Sequence, residues 1–180
     1  LMPHLHLSLQ SADNMILKRM KRRHTMAGVQ GLVERAHSVR PGLVFGADLI
    51  AGFPTETDAM FETTLHNVAD LALHYLHVFP YSSRPGTPAA RMPQVPGDVA
   101  KARAKRLREV GEANLTRHFE ALCGTTQTVL VEKPDFARTE TFAPVRLDGT
   151  ATPGSLEQVM ITGHQGGELL TTRLPAQAAE

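Results

Sequence analysis

Asp48 lies inside an otherwise apolar run, LVFGADLIAGF, at residues 43–53. An ionised carboxylate surrounded by apolar residues costs several kcal/mol unless it is paired. It is tolerated at the C-terminal mouth of a parallel sheet, the place where α/β proteins bind ligands. Gly52 then lets backbone approach a ligand closely, and Pro54 fixes the exit turn. The plainer role for Asp48 is to cap a neighbouring loop. Two histidines, His4 and His6, alternate with leucines and therefore share one face of a strand. Such a pair suits a divalent metal, as in a metal-dependent hydrolase, if further His or Asp ligands join it. His77 and Asp48 are available, although their spacing matches no metal pattern, and histidines lining a polar interior are the simpler reading. Arg22 stands in a basic cluster, Lys21 to Arg23, where it is either one solvated cation among several or a grip for a carboxylate.

The elements that must position these groups are legible from periodicity. Residues 3–9 alternate as a strand, and Asp13 is placed to cap a short helix containing Ile16 and Leu17. Thr25 caps a second helix whose Val29, Leu32, Val33 and Ala36 recur at helical spacing, and Pro41-Gly42 ends it. The run at 43–53 suits a parallel strand covered on both faces. Thr57 or Asp58 opens a helix through Phe61, Leu65, Val68 and Leu71, and residues 75–79 read as a third strand. This alternation predicts an α/β fold of parallel βα units with right-handed crossovers. Three strands are too few to close a barrel, so the pattern reads either as a small open sheet or, the reading favoured, as the C-terminal half of a barrel, residues 1–97, with partner strands upstream. Residues 80–97 carry five prolines and read as an irregular tether.

Residues 98–122 form the longest predicted helix, with Val99, Ala102, Leu107, Val110 and Phe119 facing inward. Its first half is crowded with Lys101, Arg103, Lys105, Arg106 and Arg108. Beyond Gly124 short β-rich runs at 128–132, 141–147, 156–163 and 167–172 suggest a small antiparallel barrel over 123–175, followed by a tail at 176–180.

Composition narrows the classes. The 180 residues are 42% hydrophobic, enough to bury a core, and the formal charge of +1 says nothing about partners. No apolar run approaches the roughly 18–20 residues of a membrane span. A single cysteine, Cys123, excludes an internal disulfide and fits a reducing cytoplasm. It reads as a small buried hydrophobe.

Specific segments carry a resemblance. PHLHLSLQS at 3–11, LKRMKRRHT at 17–25, GADLIAGFPTET at 46–57 and FPYSSRPGTPAA at 79–90 occur in one order. Together they resemble the radical-SAM tRNA methylthiotransferases. Thr55 and the strings HLHLSLQS and LHVFPYS lean toward the MtaB branch, associated with 2-methylthiolation of N6-threonylcarbamoyladenosine at position 37 of tRNA. Ala12 departs from the family, which usually has glycine there.

The resemblance implies S-adenosylmethionine as cofactor, with Gln10 and Asp48 on its ribose and Arg22 on its carboxylate. Ile50, Gly52 and Phe53 would wall the adenine, and Tyr81, Arg84 and Thr87 would line the substrate side. The segments from Leu122 to Leu156 resemble a TRAM domain, an RNA-binding barrel. That implies tRNA as partner, with Lys133, Arg138 and Arg146 near phosphate. Phe136 or Phe142 would stack on a base, although Phe142 suits the barrel core better. In this light the basic start of the long helix gains weight as an RNA contact.

The family also implies two 4Fe–4S clusters, each held by three cysteines, and an electron donor that the sequence does not identify. One cysteine assembles neither cluster. The cluster ligands are therefore expected upstream of residue 1, and the chain alone is expected to be inactive, its catalytic residues none and its metal ligands none. The alternatives are an RNA-binding module without catalysis and a hydrolase using His4 and His6.

Overall fold

A computed structural model describes residues 2–173; the expected tail at 176–180 and the last residues assigned to the barrel lie outside them. The chain divides into two compact units, Leu5–Leu115 and a second made of Leu1–His4 with Thr116–Glu180.

The first unit follows the alternation of periods in the sequence. Strand β1 (His4–Gln10) leads into α1 (Asn14–Arg19) and α2 (Met26–Val39), then β2 (Val44–Ala51), α3 (Asp58–Asp70) and β3 (Tyr75–Pro80). The sheet order is β1-β2-β3, and β2 runs parallel to β3. Each helix start is capped as its residue type requires. Asp13 accepts from the N–H groups of Met15 and Ile16, Thr25 from Gly28, and Thr57 from Met60.

The core gathers Leu9, Phe45, Ala47, Leu49, Phe61, Val68 and Leu107, all nearly or fully inaccessible. On β2 the alternation is plain. Phe45, Ala47, Leu49 and Ala51 are buried toward this core, while Asp48 and Ile50 on the other face are half-buried. The proline-rich stretch after β3 holds one short 3-10 turn, Ala89–Arg91, before the long helix α4 (Gly97–Leu122).

Helix α4 corrects two expectations. Ala102 is exposed, whereas Ala100, Arg103 and Ala104 are buried. Leu107 and Phe119 are buried as expected, and the buried stripe also takes in a cation, Arg103.

The second unit contains a closed five-stranded barrel, β4-β5-β6-β8-β7. Its strands are β4 (Thr126–Lys133), β5 (Phe136–Thr139), β6 (Pro144–Arg146), β7 (Leu156–Gln165) and β8 (Glu168–Arg173). Val129, Val131, Ala137, Val145, Val159, Ile161 and Leu169 fill its interior. It is not wholly antiparallel, since β6 pairs parallel with β8. Strand β5, four residues long, gives too short a pattern for sequence to separate from a turn.

Two side chains depart from expectation here. Phe142 is exposed, not in the barrel core, because it sits in a tight turn at φ 69°. The Phe142 N–H donates to the Thr139 carbonyl and the Ala143 N–H to the Thr139 hydroxyl, which fixes that turn. Cys123 is exposed rather than buried, at the end of α4.

Candidate functional site

The ends of β1 and β2 and the chain leaving β3 enclose a cleft of about 690 Å³. Gln10, Asp48 and Ile50 line it together with Phe79, Tyr81, Arg84 and Thr87, with Ile50 and Phe79 side by side in the β2–β3 register. Gln10 adopts φ 72°, a left-handed turn that ends the strand where it meets the cleft. Phe79 is 55% exposed, so one wall of the cleft is aromatic surface open to solvent. An apolar lining with a few convergent polar groups is the usual make-up of a small-molecule site.

Asp48 is held from both sides. Nε2 of His6 lies 3.1 Å from its Oδ1, and Nδ1 of His77 lies 3.2 Å from the same oxygen. The hydrogen bond from His6 foremost, with His77 adding to it, holds the Asp48 carboxyl below the usual aspartate range. His77 faces Asp48 in the β2–β3 register, so neighbouring strands place the two rings around one carboxylate. His4 does not belong to this group: its ring lies 5.1 Å from that of Phe142. His4, weighed with His6 only in the alternative of a metal-dependent hydrolase, stands apart from the group that His6 forms with Asp48 and His77 of the two neighbouring strands.

Gly52 and Phe53 do not line the cleft but sit buried behind it. Phe53 meets Tyr81 edge-on with centroids 5.4 Å apart. At Gly52, φ is 73° and a Cβ would fall 2.4 Å from the Cβ of Ala100 on α4, so only glycine fits. Arg22 is exposed in the link between α1 and α2, and it is not among the lining residues of the cleft.

Sequence reading missed the group that holds this turn. Glu56 is buried, and its carboxylate accepts the Gly52 N–H at 2.9 Å. Arg103 of α4 donates to that carboxylate at 2.8 Å and to the Glu56 backbone carbonyl at 3.0 Å. Its other nitrogen reaches Asp58, and its guanidinium stacks over Phe61 at 5.4 Å. Burial pushes the Glu56 carboxyl above the usual range, against the opposing pull of Gly52 and Arg103. A carboxylate four residues past a strand-end glycine was the available signal. Its partner lies 47 residues away.

The basic run of α4 also turns out to be engaged within this unit. Arg106 pairs with Glu62 at 2.6 Å, and Arg108 donates to the Val78 carbonyl at 2.7 Å. These contacts join α4 to α3 and β3.

On the barrel, Arg138 pairs with Glu132 at 3.2 Å and packs its guanidinium over Phe136 at 5.3 Å. Arg146 pairs with Glu168 at 2.8 Å, and Lys133 is exposed.

No protein-family model matches the chain. Individual relatives do. The threonylcarbamoyladenosine tRNA methylthiotransferase MtaB of Rickettsia prowazekii is 49% identical over 167 residues, covering 93% of this chain and 40% of the relative. The tRNA-2-methylthio-N(6)-dimethylallyladenosine synthase of Ruegeria pomeroyi is 37% identical over 183 residues, covering 99% of this chain and 39% of its own. The family resemblance carried by the sequence segments is therefore the one these methylthiotransferases show, and the chain spans about two-fifths of their length. Among solved structures, the radical SAM enzyme coproporphyrinogen III oxidase of Escherichia coli aligns with 65% of this chain and 27% of its own, at TM-score 0.46 and 24% identity. Among the described residues no helix is long and apolar enough to cross a membrane.

Proposed function

We propose that the chain is the C-terminal portion of a radical-SAM tRNA methylthiotransferase acting at C2 of N6-threonylcarbamoyladenosine 37. In this reading Leu5–Leu115 supplies half of the S-adenosylmethionine pocket within a partial βα barrel, and the closed barrel is a TRAM-like tRNA-binding domain in the cytoplasm. The observation that carries it is the cleft at the strand ends, with Gln10, Asp48 and Ile50 among its lining residues. The threonylcarbamoyl substrate rests on the name of the Rickettsia relative.

The cleft fits the cofactor. Its volume, about 690 Å³, falls within the roughly 300–1,000 Å³ typical of small-ligand sites. With Oδ1 of Asp48 engaged by His6 and His77, Oδ2 is the oxygen left to accept ribose hydroxyls. Gln10 would share the ribose and Ile50 would pack against the adenine. Gly52 and Phe53 would act from behind, by fixing the turn that aims Ile50. Arg22 would take the carboxylate, and Tyr81, Arg84 and Thr87 would meet the substrate. Bound S-adenosylmethionine supplies radical initiation in such enzymes; these residues bind and orient it.

The iron–sulfur clusters do not fit this chain. Each needs three thiolates, and the one cysteine is an exposed residue of the other unit. The chain alone is therefore read as inactive.

The test is a chimera in which this chain replaces the matching region of the Rickettsia enzyme, with methylthiolated adenosine measured by mass spectrometry. The chimera should form product and the chain alone none. Turnover by the chain alone would overturn the fragment reading. D48N in the chimera should weaken S-adenosylmethionine binding about ten- to hundred-fold, the worth of charged hydrogen bonds. Unchanged binding in both D48N and Q10A would overturn the pocket assignment.

A further inference from the structure

His6, Asp48 and His77 offer two imidazole nitrogens and one carboxylate oxygen that all lie within 4.8 Å of one another. They come from three neighbouring strands, so the sheet rather than a loop sets their spacing. Both nitrogens aim at the same oxygen, at 3.1 and 3.2 Å. Two ligands each about 2.1 Å from one ion, at roughly a right angle, are separated by about this distance. The rings lie 4.8 Å apart and are tilted by 36°, so they flank the carboxylate without stacking flat.

Gly46 makes this arrangement possible. It sits in the buried part of β2, and a Cβ there would fall 2.4 Å from Nδ1 of His6 and 2.9 Å from the Tyr75 carbonyl oxygen. The His6 ring occupies the hollow that the missing side chain leaves, which directs Nε2 toward Asp48. The side chains of His6 and Asp48 are each 32% exposed and that of His77 63%, so an ion with its waters has a path in.

We propose that His6, Asp48 and His77 form a three-ligand site for a divalent first-row transition ion, with the remaining coordination positions open to water. Two imidazoles and one carboxylate suit zinc, iron(II) or cobalt(II), whereas calcium and magnesium prefer all-oxygen sets. The site uses Oδ1 of Asp48 and leaves Oδ2 to the cleft. It goes beyond the proposed methylthiotransferase function and does not depend on it.

The test is cobalt(II) and zinc binding to the purified chain, followed by visible absorption and by metal content after gel filtration. The wild type should retain about one ion per chain and give cobalt d–d bands in the visible range. H6Q and H77Q should each lower affinity about ten-fold or more, while H66Q, which alters an exposed His–Asp pair on α3, should leave it unchanged. Loss of retention only in H6Q and H77Q supports the site. No retention by the wild type, or equal binding in all variants, overturns it and leaves a hydrogen-bonded triad or an adventitious ion only. H77Q changes an exposed strand-edge side chain, and its circular dichroism separates ligand loss from misfolding. S-adenosylmethionine is absent from the assay, so this result and that of the chimera fail separately.

Discussion

The two units differ in whether they bury an ion pair. Leu5–Leu115 keeps pairs such as Arg106–Glu62 exposed but buries one: Glu56 is 5% exposed and Arg103 6%, locked together beneath the turn that follows β2. The barrel keeps its ion pairs outside, with Arg138–Glu132 and Arg146–Glu168 on exposed or half-exposed side chains, and among its described residues the buried polar ones are the small neutral Thr139 and Thr171. A buried pair stores a large penalty that appears when one partner is lost, whereas a surface pair contributes little. The unit with the cleft therefore invests in one fixed geometry. The barrel leaves its cations able to exchange carboxylate partners for phosphate.

The largest effect should come from R103A. Removing the cation strands the Glu56 carboxylate in the core, and a loss of about 3–5 kcal/mol is expected from breaking such a pair on one side. Urea unfolding should show it in the βα unit, with the barrel transition unmoved; a change under 1 kcal/mol would erase the contrast. G52A comes next. It drives a Cβ into Ala100 and forces alanine to φ 73°, for a combined loss of about 2–4 kcal/mol.

Acidity separates the units more finely. Burial raises the Glu56 carboxyl above its ordinary 4.5, so its contribution to stability is fully present below that value and is lost as pH rises through the folded-state value. Burial lowers His118, on the part of α4 that belongs to the second unit, below its ordinary 6.5, so its contribution is present above 6.5 and is lost as pH falls through the folded-state value. Denaturant midpoints of wild type against E56Q and H118Q across this range should diverge in opposite directions. Parallel curves would show that neither group titrates as its burial dictates.

The smallest stability effect belongs to the barrel surface. R138A and R146A should each cost no more than about 1 kcal/mol. Each should nevertheless lower the salt slope of tRNA binding by about one if its charge meets phosphate. Binding that ignores salt would remove the barrel's proposed role.

Much of the first unit was legible because its signals are local. The caps at Asp13, Thr25 and Thr57 and the apolar run of β2 each announce an element within a few residues. The barrel was less so. Strand β5 is too short to show a period, and the turn that exposes Phe142 depends on Thr139 hydrogen bonds, not on its own residue type. At the candidate site, Gln10, Asp48 and Ile50, named from the sequence, line the same cleft. Glu56 and Arg103 were not, because α4 looked like a solvated basic face until its packing set one cation inside.

By itself the sequence determined the order of strands and helices in the first unit, the segments that resemble the methylthiotransferases and the shortage of cysteine ligands. All of these depend on residue identity and short-range spacing. Only the tertiary structure decided that Glu56 meets Arg103 and that His6 and His77 converge on Asp48, across separations of 47, 42 and 29 residues. Periodicity tells which face of an element is apolar. It does not tell which polar side chains two packed faces bring within hydrogen-bond reach.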